Sequence, residues 1–211
     1  MTSEFLSGAT TTLVLAIFAW IVGLPVGASL AALAFGTPRL LWLLQLTSVV
    51  FATVPLLAIL FWLHYPVQSV LQVVWSPFAT STFLLSMYVA ASTGGILLDR
   101  LEAVDRKYSD TIRVLGLTQW DHVVHALYPA AWFASIPRLL SLAIATLQAT
   151  MFCSLIGVEE LFRVTLRLNA TYLRPVELFL AMGAFYLVLS LPFYLLAKRL
   201  SRELSAEPDL A

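Results

Sequence analysis

Asp105, Asp110 and Asp121 fall within one 17-residue stretch of a chain that is elsewhere sparsely charged. Clustered carboxylates can exchange protons with a substrate or hold a divalent cation, so an active site, if the chain had one, would lie here. His122 and His125 follow at a spacing of three, but no third ligand accompanies them as zinc would require. His64 stands alone, and the single cysteine, Cys153, has no second thiol for a disulfide or a metal site. The sequence holds no G-x-S-x-G elbow, no H-E-x-x-H pair and no glycine-rich phosphate loop. Catalytic residues, metal ligands and bound cofactors are therefore expected to be absent from this chain. The acidic stretch leaves one alternative open, an integral membrane enzyme with a cytoplasmic active site around Asp105, Asp110 and Asp121.

The elements that would carry these residues follow from hydrophobicity. Of 211 residues, 60% are hydrophobic and 11% charged, far from the balance of soluble domains, where about a quarter are charged. A hydrocarbon core about 30 Å thick takes roughly 20 apolar helical residues to cross. Five such runs fit, at about 9–35, 40–63, 79–98, 131–156 and 176–197. Residues 40–98 carry no acid, lysine or arginine, and 59 residues are too many for one helix. The break is expected at His64-Tyr65-Pro66, and Ser76-Pro77 is expected to open the next helix. Runs this long satisfy their backbone in lipid as helices, so the predicted fold is all-α integral membrane, one domain over 1–211 with five transmembrane helices. The opening MTSEFLSGATTT lacks the basic segment of a cleaved signal peptide, so the first run is expected to stay as a span.

Basic residues orient the spans because they collect on the cytoplasmic side. Arg39, Arg100, Arg106, Lys107, Arg113, Lys198, Arg199 and Arg202 fall on one side, and Arg163, Arg167 and Arg174 on the other. This places the N-terminus outside and the C-terminus inside the cytoplasmic membrane. With a net charge of zero and bases interleaved with acids, nothing points to nucleic acid.

Between Asp99 and Asp121 lie nine of the chain's 24 charged residues. Ile112 and Leu115 form one apolar pair, and Leu117, Trp120, Val124 and Leu127 recur at steps of 3, 4 and 3, which predicts two short helices over about 106–129. Gly116 sits between them, where a left-handed residue would end the first helix. Thr118 and Asp121 resemble a capping box for the second. Pro129 is expected to end that helix and to turn Tyr128 away from helical geometry before the chain re-enters the membrane. Two readings fit this pattern: an amphipathic helix on the membrane surface, or a helix-glycine-helix that docks on a soluble partner.

The same stretch, DTIRVLGLTQWDHVVHALYP, resembles the coupling motif of the membrane subunits of binding-protein-dependent ABC importers, in their polar amino acid permease group. That motif runs E-A-A, three residues, G, then about nine residues and I-x-L-P. Here Asp110 takes the acidic position, Gly116 the glycine and Pro129 the proline, while Thr111 and Ile112 replace the alanines. A second segment, QATMFCSLIGVEEL, is similar to the family's K-D-T-S-L-x-x-x-I-G-V-x-E-L, keeping Thr150, Ile156, Gly157, Val158, Glu160 and Leu161. A third, FATVPLLAILFWLHYP, looks like the R-G-T-P-L-L segment with Pro55, Leu56 and Leu57 kept.

The resemblance implies a permease subunit of an ATP-driven importer moving a small polar solute, an amino acid or derivative. It implies no nucleotide site in this chain, with ATP and Mg held by a separate ATPase dimer. A second permease subunit and an external solute-binding protein would complete the complex. Asp110, Arg113, Gly116, Leu117, Trp120 and Pro129 would form the coupling segment; an interface anchor is the other reading of Trp120. The family's arginine before G-T-P and its glutamate in the third span correspond here to Ala52 and Gly95. Either a heterodimeric partner carries the recognition groups, the favoured reading, or the solute lacks an amino acid's charge pattern. The small-residue run from Ala90 to Gly95 fits close helix packing or a solute-lining face. Arg138 either lies on the solute pathway or extends to the cytoplasmic interface. Thr150 is a further pathway candidate, and Gly157 a hinge. Glu159, Glu160 and Arg163 are candidates for docking a binding protein, or simply exposed loop charges. A small secondary transporter is the remaining alternative.

Overall fold

The computed structural model describes residues 1–35, 37–115 and 127–206, without the side chains of 104–115, 205 and 206. The described residues fold as α1 (Thr2–Ala34), α2 (Pro38–Thr53), α3 (Leu56–Trp62), α4 (Pro77–Leu115), α5 (Tyr128–Ala149), α6 (Leu161–Tyr172) and α7 (Pro175–Ala206). Four runs are long and apolar enough to cross a membrane: Thr2–Ala34, Pro77–Ala103, Tyr128–Ile156 and Pro175–Leu204. A further pair, Pro38–Thr53 and Leu56–Leu71, is long and apolar enough only when taken together, and its two halves meet at an angle of 105°, the shape of a broken span or a re-entrant loop.

The position of that break corrects the expectation of a continuous second span over 40–63. Val54 is extended, with φ −89° and ψ 128°, because the ring of Pro55 crowds the helical conformation of the residue before it. Pro66 does not break the chain. It lies inside a π-helical turn, Leu63–Val67, which extends α3 into a last turn, Gln68–Leu71. The wider ring of a π turn accommodates a residue that has no N–H to donate. The run stops at Gln72, whose φ of 54° and ψ of 35° are left-handed. As expected, the next helix opens at Ser76-Pro77, where Ser76 Oγ accepts from Ala79 N at 3.2 Å.

The bundle is assembled around the crossing of α1 and α4. Gly23 and Gly27 face α4 so closely that a Cβ on Gly23 would stand 2.5 Å from Ser86 O, and one on Gly27 would overlap Ala90 O. On the other side of α4, Gly94 meets the Leu44 side chain, Gly95 meets Ser48, and Ser48 Oγ donates to Ala91 O at 3.0 Å. The small-residue run is thus packed between α1 and α2, as small residues in lipid allow.

Two apolar clusters stack along the bundle. One joins Leu15, Leu60, Leu84, Val89, Leu142 and Cys153; the other joins Ala28, Ala31, Leu44, Leu97, Leu101, Leu127 and Ala131. In α7, by contrast, Leu180, Leu187, Val188 and Leu195 are among many apolar side chains left exposed. An apolar helix with so little buried within its own chain faces lipid or another subunit.

Candidate functional site

Two ends of the bundle carry the residues singled out by sequence. At one end α4 continues unbroken past the membrane-length segment. Its 39 residues span about 58 Å, so the backbone at Asp110 and Arg113 stands well beyond a core about 30 Å thick. Gly116, Leu117, Trp120, Asp121, His122 and His125 lie outside the described residues, as does the expected helix end at Gly116.

The chain returns at Leu127, which is 1% exposed. Tyr128 is the first residue of α5 and Pro129 sits in its first turn, which corrects the expectation that Tyr128 leaves helical geometry and that the fourth span starts at Ala131. A proline in the first turn costs nothing in hydrogen bonding, because N–H groups there have no partner within the helix. Both legs of the projection are gripped where they enter the bundle. Leu97, Leu98 and Leu101 on the outgoing leg, and Leu127 and Ala131 on the returning leg, bury against Ala28, Ala31 and Ala34 of α1. Tyr128 Oη also donates to Ala28 O at 3.0 Å. Both legs are thus joined to α1. Arg138 Nη1 adds a 3.5 Å pair with Asp99 Oδ2 across the two legs; both side chains are exposed, and such pairs contribute about 1 kcal/mol or less.

At the other end, α5 tightens into a 3-10 segment, Thr150–Ile156, and turns at Gly157, whose φ of 102° and ψ of 10° suit glycine. The sequence reading missed the element that follows. Leu161, Val164, Thr165 and Leu168 are buried along one face of α6, and their spacing of three and four was the available signal. Gly8 on α1 approaches so closely that an added Cβ would stand 3.1 Å from Leu161 Cα.

Glu160 is not an exposed docking charge. It has no exposed surface, and its carboxylate caps α6, accepting from Phe162 N and Arg163 N at 2.8 Å each. Burial pushes its carboxyl up to about 7, against the opposing pull of those two N–H donors; Glu159 raises it further and Arg163 lowers it. Glu159 and Arg163 do remain half exposed, 3.0 Å apart. Arg167 links Glu159 at 2.7 Å and Glu4 at 3.7 Å, tying α6 to the start of α1. Thr150 is fully buried and donates to Leu147 O at 2.8 Å, so it lines no surface that a solute could reach in this conformation. Gly95 is half-buried against Ser48, and Ala52 is exposed.

A tie between α1 and α6 yields a direct prediction. Thr12 Oγ1, fully buried, accepts from Leu161 N at 3.1 Å. Thr12→Val strands that N–H and should cost about 1–3 kcal/mol, read as a lower unfolding temperature of the detergent-purified chain. Thr12→Ser keeps the acceptor and should lose less than half as much.

Sequence also missed a small polar cluster on the π turn. Gln68 Nε2 donates to Thr80 Oγ1 at 2.9 Å, and His64 Nδ1 lies 3.1 Å from the same oxygen. His64 is thus engaged in hydrogen bonding rather than isolated. Among the described residues, no group of three or more His, Cys, Asp or Glu side chains could hold a metal ion.

The sequence profile of the family described as "Binding-protein-dependent transport system inner membrane component" matches residues 23–206. The chain belongs to this family. The match takes in both legs of the projection, the segment between them and the elbow at Gly157. Among its relatives, the glutamate/aspartate import permease protein GltK of Escherichia coli O157:H7 is 27% identical over 205 residues, covering 93% of this chain and 92% of that one. The glutamine transport system permease protein GlnP of Escherichia coli K12 is 27% identical over 117 residues, 56% of this chain and 52% of that one. The nopaline transport system permease protein NocM of Agrobacterium fabrum C58 is 24% identical over 197 residues, 89% and 82% of the two chains. A crystal structure of an amino acid ABC transporter with histidines superposes with a TM-score of 0.85 at 24% identity, over 96% of this chain and 95% of that one. The all-helical arrangement of this multi-pass membrane protein is thus the fold of that transporter chain.

Proposed function

We propose that this inner membrane component is the permease subunit of an ATP-driven importer for an amino acid or an amino-acid-like solute. The observation that carries the reading is the grip on both legs of the cytoplasmic projection, Leu101 and Leu127 against Ala31, which turns movement of the tip into movement of the bundle. ATP and Mg belong to a partner ATPase dimer, whose closure moves the docked segment containing Asp110, Arg113, Gly116, Leu117, Trp120 and Pro129. This is rigid-body switching between two packed states, driven by ATP's preference for one of them. The N-terminus lies outside and the C-terminus inside. The relatives named for glutamate/aspartate, glutamine and nopaline support an amino-acid-like solute.

Ala52 and Gly95 offer no charged group to such a solute, which favours a heterodimer whose second permease chain holds the recognition residues. The exposed faces of Glu159 and Arg163 suit docking of a solute-binding protein. Arg138 remains a pathway candidate. Arg138→Leu with normal assembly and lost uptake would place it there, and unchanged uptake would remove it.

Co-reconstitution of the chain with its ATPase, second permease and binding protein in proteoliposomes tests the reading. Labelled amino acids should accumulate only with ATP supplied on the ATPase side. Uptake driven by an ion gradient without ATP would instead make the chain a secondary transporter, and a metal-dependent reaction by the isolated chain would make it an enzyme.

A further inference from the structure

The basic residues at the two ends of the bundle differ in what neutralises them. Beside α6, Arg163 and Arg167 both pair with Glu159, at 3.0 and 2.7 Å, and Arg174 pairs with Glu177 at 3.3 Å. At the projecting end, among the described residues, Arg39, Arg100, Lys198 and Arg202 have no acidic partner. Where such a residue also borders an exposed apolar face, lipid can supply the missing anion.

Arg39 is such a residue. It is the second residue of α2, and Leu40 and Leu41 beside it pack with Leu97, Leu101 and Leu127 where the projection enters the bundle. Leu44 and Ser48 hold one face of α2 against α4. With about 3.6 residues per turn, Arg39, Leu43, Leu46 and Val50 fall on the opposite face and Trp42 at its edge. All five are exposed, Trp42 by 60%. From Arg39 to Val50 this stripe is about 16 Å long, close to half of a hydrocarbon core about 30 Å thick, and α2 ends one turn later at Thr53. The face thus has the depth of one leaflet: a cation at the headgroups, a tryptophan at the level where such rings settle, and an aliphatic row below. Another protein subunit covering it would have to bring a carboxylate to Arg39, whereas a phospholipid carries phosphate and acyl chain in one molecule.

We propose that this face of α2 binds an anionic phospholipid, with Arg39 on the phosphate and Leu43, Leu46 and Val50 along an acyl chain. The phosphate of a zwitterionic lipid is offset by its own ammonium group, so a lone cation favours the lipid with net negative charge. At the membrane surface one arginine is worth about fivefold in occupancy, and salt screens the attraction. The site rests on the chain's crossing a membrane, not on the permease reading.

Quenching of Trp42 fluorescence in the full chain, in nanodiscs, tests it, with the emission of Trp42 taken as the difference between wild type and Trp42→Phe. At low salt, brominated phosphatidylglycerol should quench about fivefold more effectively per mole than brominated phosphatidylcholine. Arg39→Gln should abolish the preference, and Arg39→Lys should keep most of it. Arg39 is exposed, so neither variant disturbs the packed face of α2. Equal quenching by the two lipids overturns the site, as does a preference that survives Arg39→Gln. Loss of the preference when inorganic phosphate replaces chloride at constant ionic strength would assign Arg39 to a free anion, and protection of Trp42 from both lipids would assign the face to another subunit; either result also overturns it. ATP-dependent uptake is a separate measurement, so the importer reading stands where the lipid site falls, and the reverse.

Discussion

Gly27→Leu is expected to prevent the bundle from assembling, while Gly183→Leu leaves it unchanged. The two substitutions add the same atoms to apolar helices and differ only in what those atoms meet. At Gly27 the first added carbon already overlaps Ala90 O and stands 2.9 Å from Thr93 Cβ, whereas at Gly183 nothing lies within 4 Å. Backbone cannot move aside as a flexible side chain does, so α1 must separate from α4 along much of the crossing. Overpacking of a well-packed interior costs about 1–3 kcal/mol even where side chains can adjust, and a clash with a helix backbone lies at or above the upper end. The exposed position should stay within about 0.5 kcal/mol of wild type. Thermal unfolding of both variants in detergent, with the membrane-inserted fraction measured alongside, checks this. Equal behaviour of the two would show that the crossing is looser than its geometry implies.

Gly116→Leu should have the largest effect on activity. The variant is expected to insert normally and to keep its spans, because Gly116 lies outside the charge-free apolar runs that form them. Uptake per ATP hydrolysed should nevertheless fall by roughly tenfold or more, the scale of a lost coupling free energy between two sites. The glycine is read as the bend between two short helices, and the chain to either side is anchored at Leu101 and Leu127. A changed bend would misalign the docked segment while leaving the anchors in place. Failure of the variant to reach the membrane would assign the glycine to folding instead.

Much of this architecture was written in hydrophobicity. Runs of charge-free sequence placed the spans because lipid leaves the backbone few alternatives to a helix. Where the reading went wrong, proline chemistry decided. Pro55 and Pro66 occur in one apolar stretch, and sequence favoured the polar neighbours His64 and Tyr65 as the break. A proline inside a helix need not end it, and Pro66 sits in a π turn within a continuing helical run. Pro129 misled in the opposite way, since a first-turn proline begins a helix as readily as a proline further on ends one. α6 was overlooked because its twelve residues carry charges that resemble a loop.

The candidate site was legible in part. Charge density and Gly116 marked the projecting segment, and the structure adds the anchoring of its two legs, a long-range property that no local pattern encodes. Glu160 was noticed as a charge but assigned to the surface. Cys153 and Tyr186, from two distant parts of the chain, lie near its carboxyl, and Thr12 holds the N–H of the next residue, Leu161.

Crosslinking from the projecting segment bears most directly on the central claim, that a nucleotide-driven partner moves the bundle through it. Cys153 is buried, so a cysteine replacing Trp120 offers one reactive thiol for a bifunctional reagent in intact membranes. The thiol should join to an ATP-hydrolysing subunit, with a yield that differs between ATP-bound and ATP-free states. Capture by lipid or by extracytoplasmic proteins alone, in either nucleotide state, would contradict it.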